Sequence, residues 1–163
     1  MREGLVQPLL ARGHRVSVTA TPTAAEWLKA AGQQAEIEAD TGFLLRAAPR
    51  LPGEDSPHPK PDVYVGAPVT ANTLAKLALG IADNQALTML CENVATSPMV
   101  IFPRINAAHA RQPAWVGHLA ALRSVGVQLI YGEDVWPLFE PRSAASSRAI
   151  PWTAIIAAAE RLM

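Results

Sequence analysis

The sequence is short of cysteine: Cys91 is the one thiol in 163 residues. A single cysteine excludes an intrachain disulfide framework and fits a reducing cytoplasm. An excess of charge of either sign is also missing. Fourteen Lys and Arg balance fourteen Asp and Glu, giving a formal net charge of +0 at pH 7, and only 17% of residues are charged. With no long basic or acidic run, neither nucleic acid nor an anionic membrane is expected as the main partner. No apolar run approaches the roughly 18 residues of a membrane span, and the first residues lack the apolar core of a signal peptide. His, Cys and Asp nowhere fall at metal-ligand spacing, so no metal is expected; Gly-x-Ser-x-Gly and a Gly-rich P-loop are absent too.

What is present is apolar periodicity. Half of the chain is hydrophobic, enough to fill the interior of one α/β domain over 1–163. Residues 1–12 carry Leu5, Val6, Leu9 and Leu10 at helical spacing, with a kink or a helix start near Pro8. Strands are expected near 15–21, 35–39, 63–67, 99–102 and 128–131, separated by helices that include 22–31, 112–124 and a final one over 151–162. Five prolines, at 49, 52, 57, 59 and 61, make 40–61 an irregular loop. Alternating strands and helices of this kind predict a Rossmann- or flavodoxin-like open parallel sheet with helices on both faces. Such sheets bind ligands beyond the carboxyl ends of their strands.

Two junctions would lie on that edge. After the strand near 63–66, Ala67-Pro68 interrupts the backbone and Thr70, Asn72 and Thr73 stand at the start of a helix. Its free N–H groups and dipole favour an anion. Leu74, Leu77, Ala78 and Ile81 form the apolar face of that helix. The second junction is Pro103-Arg104-Ile105-Asn106, after the wholly apolar Met99-Val-Ile-Phe102. Each of these polar residues also has a plain structural use, as a helix cap or an Asx turn. Trp27, Trp115, Trp136 and Trp152 read as core or subunit contacts, His58 as a surface loop residue, and Cys91 as a small core residue.

At these junctions the chain resembles the flavoprotein family of homo-oligomeric flavin-containing cysteine decarboxylases, which are phosphopantothenoylcysteine decarboxylase-like. The motifs are Ala67-Pro-Val-Thr-Ala-Asn-Thr73, Gly80-Ile-Ala-Asp-Asn84 and Pro103-Arg-Ile-Asn-Ala-Ala-His109, followed by Pro113, His118-Leu119 and Leu122 to Gly126. The resemblance implies FMN as cofactor, held by Thr70, Ala71, Asn72 and Thr73 and by Thr21 and Thr23. Arg104 is placed with them as a partner for phosphate or carboxylate. It implies Asn106 as the residue that pairs with a substrate carboxylate, and a homo-oligomer, a trimer or multiples of one.

Several positions depart from the family pattern. The family's opening strand and phosphate loop have no counterpart, so the first strand is absent and the start codon is expected to be misplaced; an intact native mass of 17.4 kDa would overturn that. His58 lies too close to Asp62 to match the family's histidine, Cys91 does not sit in a Cys-Gly flap, and the clamp motif carries Arg104 and His109 instead of alanine and methionine. The catalytic residues are therefore unassigned. FMN binding without cysteine decarboxylation, or with another decarboxylase, lyase-like or oxidoreductase reaction, is the expected function. The alternatives are a nucleotide-sugar-binding, glycosyltransferase-like domain, suggested by the run from Arg12 to Pro22, and a non-catalytic module with a decayed cofactor site.

Overall fold

The computed structural model describes residues 1–143 and 148–163. The chain falls into two compact units, one of residues 1–61 and 82–89, the other of residues 62–81 and 90–163. In the first, a π-helical turn, Arg2–Val6, runs into α1 (Gln7–Ala11). Pro8 sits in the first turn of α1, where a missing N–H breaks no bond. Two further helices follow, α2 (Pro22–Ala30) and α3 (Gln33–Thr41), and α3 packs on both α2 and the opening helical turn. Leu5, Val6, Leu9, Ala20, Ile37 and Leu87 form the buried apolar set here.

Two expected strands in this unit are corrected. Residues 35–39 are not a strand but the middle of α3. The run Gln-Gln-Ala-Glu-Ile-Glu-Ala-Asp is made mainly of good helix formers, and Ile37 alone is fully buried, so a period of two has nothing to alternate with. Gly32 and Gly42 close the ends at φ 71° and 72°. Residues 15–21 form no strand, only a single parallel bridge, Thr19 to Arg46, with Ala20 N–H donating to Arg46 O at 2.8 Å and Arg46 N–H to Val18 O at 3.0 Å. The proline-rich loop supplies the partner, and its prolines stop the ladder from lengthening. His58 is also corrected: it is 6% exposed, with Nε2 2.8 Å from Leu44 O and its ring edge-on to Phe43.

The second unit carries the sheet. Strands β1 (Tyr64–Val69), β2 (Met99–Pro103) and β3 (Gln128–Leu129) run parallel in the order β1-β2-β3. The register pairs Tyr64 with Met99, Val65 with Val100 and Val100 with Gln128. Every residue of β2 is buried, so this apolar strand is covered on both faces. On one face α8 (Trp152–Glu160) packs Ala158 and Ala159 against Val100, with Val63, Val65, Ile130 and Leu162 around them. Helix α7 (Trp115–Ser124) buries Trp115, Leu119 and Leu122, as its spacing predicts, and packs on β3 and on α4 (Ala71–Ala78). Helix α5 (Gln85–Asn93), whose start belongs to the first unit, follows the expected break, with Asn84 Oδ1 accepting from Leu87 N–H at 3.1 Å. This is an α/β, flavodoxin-like fold.

The expected stop of β1 at Ala67-Pro68 is also corrected. The strand continues to Val69 but slips register between Gly66 and Val69, so Pro68, which has no N–H to offer, occupies the irregular step. The Ala67–Pro68 peptide is cis. Gly66 is required by close packing: a Cβ there would lie 2.5 Å from the Cδ1 of buried Ile101.

Candidate functional site

Thr70 caps α4 immediately beyond β1. Its backbone is extended, and its hydroxyl accepts from Thr73 N–H at 3.1 Å while lying 3.1 Å from the Thr73 hydroxyl. Capping satisfies one of the free donors of the helix N-terminus and leaves the others facing outward. The same construction recurs beyond β2. Arg104 N–H donates to Val69 O at 2.9 Å, which ties the two strand ends together. Asn106 then caps the short α6 (Ala107–Ala110), its Oδ1 accepting from His109 N–H at 3.0 Å. With the amide oxygen so engaged, it is the Nδ2 donors of Asn106 that suit a ligand acceptor.

The two junctions share one cavity of about 490 Å³ at the carboxyl ends of β1 and β2. Thr70, Ala71, Asn72, Arg104 and Asn106 all line it, as does His109. Thr73 is not among the lining residues and acts on the site through Thr70. Thr21 and Thr23 belong to the first unit. There Thr21 caps α2, its hydroxyl accepting from Ala24 N–H at 3.3 Å, and Thr23 is exposed in the first turn.

The opposite wall comes from the segment after β3, a region with no recognisable pattern in the sequence; its residues 144–147 lie outside the described residues. Trp136 is buried and meets Phe102 of β2 edge-on, with centroids 5.3 Å apart. Phe139 O accepts from Ala107 N–H at 2.9 Å, which holds this wall to the start of α6. Glu140 pairs bidentately with Arg111. That partner holds the Glu140 carboxyl below its ordinary value and the Arg111 guanidinium above its own. The guanidinium of Arg148 lies 3.9 Å from the Trp136 ring centroid and 4.1 Å from that of Phe139. Desolvation lowers its pKa, and the charge of Arg104 adds to the effect against a smaller opposing pull from Glu133.

Trp136, Phe139 and Arg148 were missed as site residues because a tryptophan in a loop reads as core. The available signal was two aromatics and two arginines within 136–148. Cys91 is a free thiol whose pKa is raised by burial, the opposite of an activated nucleophile. Among the described residues, no three of His, Cys, Asp and Glu cluster as metal ligands, and no helix is long and apolar enough to cross a membrane.

A strand-end cavity with a capped helix N-terminus, on a parallel sheet, defines a ligand-binding α/β protein. Residues 3–160 match the Flavoprotein family, and the chain belongs to that family. Among solved structures, the FMN-dependent cysteine decarboxylase TvaF from thioviridamide biosynthesis is 25% identical with a TM-score of 0.62, covering 91% of this chain and 80% of that one. The FMN-dependent cysteine decarboxylase SpaF is 30% identical with a TM-score of 0.50, covering 89% and 79%. A phosphopantothenoylcysteine decarboxylase of Arabidopsis thaliana is 36% identical over 69 residues, 42% of this chain and 33% of that protein. A cysteine/cysteine sulfinic acid decarboxylase from an unknown prokaryotic organism is 41% identical over 69 residues, 19% of its length. The chain thus aligns with about a third or less of the curated relatives. The family match favours the flavoprotein reading over the nucleotide-sugar one.

Proposed function

We propose that this chain is an FMN-binding flavoprotein whose cofactor lies against the Thr70–Thr73 turn. The observation that carries the proposal is the sharing of one cavity by the capped start of α4 and the Arg104–Asn106 junction, in a chain of the Flavoprotein family. Thr70 and Asn72 offer side chains that can meet ribityl hydroxyls or phosphate oxygens, and Ala71 keeps the wall low enough for the backbone to approach. Thr73 braces Thr70. Bound FMN would bring redox chemistry the side chains lack. Asn106 is proposed to orient an acidic substrate through its amide N–H groups. No side chain is assigned as the catalytic group: Cys91 is a half-buried thiol whose pKa is raised, and His109 lines the cavity beside the Asn106 cap.

The site serves a homo-oligomer, a trimer or a multiple of one, in the cytoplasm. Light scattering of the purified protein checks the assembly; a monomer at micromolar concentration removes it. For the cofactor, the purified protein should be yellow, absorbing near ~450 nm as free flavin does, or should become so on adding FMN. A protein that stays colourless after FMN addition and dialysis refutes the reading and leaves a non-catalytic module with a decayed site.

A further inference from the structure

The cavity wall formed after β3 is built around a cation that the flavin reading does not use. Arg148 is clamped between the faces of Trp136 and Phe139, and its Nη1 is buried with no hydrogen-bond partner. Aromatic faces stabilise a guanidinium electrostatically, yet they accept no hydrogen bonds in its plane. The fork therefore keeps donors that water does not reach. Arg104 lines the same cavity, and its charge opposes that of Arg148. Arg142 is a third arginine on the cavity and has φ 64°, a left-handed conformation that a long side chain rarely adopts. The carboxylate of Glu140 is already paired with Arg111, outside the set of lining residues. Three arginines thus line one space beside the positive end of α4, and Glu133 only partly offsets the charge of Arg148.

We propose that Arg104 and Arg148 form an oxyanion clamp that selects a small substrate carrying two negative charges, such as a dicarboxylate or a phosphate monoester. This assigns Arg104, placed with the cofactor by the sequence, to the substrate instead. The clamp deepens the flavoprotein reading, on which its place beside a flavin rests, by naming the substrate class. Trp136 and Phe139 act as positioning residues: they fix the plane of the Arg148 fork, so that an incoming oxyanion meets two parallel donors. An uncharged peptide end leaves the two guanidiniums facing each other unneutralised, and a monoanion only half relieves them.

The test is titration calorimetry of the full FMN-saturated chain with malonate, with inorganic phosphate and with acetate, at constant ionic strength. Malonate or phosphate should bind saturably, and acetate at least tenfold more weakly. Arg148→Gln and Arg104→Gln should each weaken the dianion at least tenfold while flavin absorbance is retained. Arg148→Lys keeps the charge but not the planar fork and should recover only part of the affinity. Absence of saturable dianion binding to the wild-type chain, or equal affinity in Arg148→Gln with a native melting transition, overturns the clamp. Loss of FMN but not of riboflavin in Arg148→Gln also overturns it, because the arginine then serves the cofactor phosphate. A chain that takes up no FMN yet binds malonate with these arginine dependences removes the flavin reading and leaves the clamp standing.

Discussion

Thr70 and Gly66 do different work four residues apart. Thr70 supplies an oxygen to the first turn of α4, so its removal frees a helix N–H without disturbing the sheet. Thr70→Ala should lower the unfolding free energy by about 1 kcal/mol, the usual worth of such a cap. It should also weaken FMN retention, read by flavin absorbance after dialysis. Gly66 has no side chain because Ile101 occupies the space. Gly66→Ala pushes the end of a fully buried isoleucine out of place and should cost about 1–3 kcal/mol by urea denaturation. An effect within error would mean that Ile101 changes rotamer freely. The capping role of Thr70 was legible from its position before an apolar helix; the demand on Gly66 was not, because it is set by a neighbour on another strand.

Among the elements, α8 and α3 show where periodicity is informative. The final helix places Ile155, Ile156 and Ala159 inward as its spacing requires, because its apolar face is wide and has a sheet to cover. Ile155 is 0% exposed, and Ile155→Ala should destabilise the protein by about 2–5 kcal/mol, the range for truncating a buried isoleucine. In α3 a single buried residue gives too little pattern to choose between strand and helix. Its identity is reinforced by Arg2, which donates to Asp40 at 2.6 Å and reaches Glu36 at 3.3 Å, two acids one helical turn apart. The hydrogen bond from Arg2 is the main reason the Asp40 carboxyl lies below its ordinary value. That contribution is full above the ordinary carboxylate range and is lost as pH falls through the depressed folded-state value. Melting temperature should therefore drop on acidification, and more gently in Asp40→Asn; parallel curves for the two proteins would remove the pair from the acid response.

For the whole molecule, a net charge of +0 and a pI near 6.9 place the solubility minimum close to neutral pH, where self-repulsion is smallest. A cofactor that binds only the folded chain must also raise its stability. At FMN concentrations about a hundredfold above Kd, linkage gives about 2.7 kcal/mol, visible as a higher melting temperature. No shift at any FMN concentration would argue against specific binding.

The sequence by itself determined the β1-to-α4 turn, the apolar strand β2 and the family resemblance, since alternation, helix spacing, caps and prolines act within a few residues. Tertiary structure decided that residues 35–39 are helical and that 15–21 forms one bridge, because both depend on which partners arrive to pair or bury them. It also decided that Arg148 stands against two rings and shares a cavity with Arg104. A side chain's neighbours across a cavity are set by how separate strands and loops come together, and the local order of residues carries no record of that.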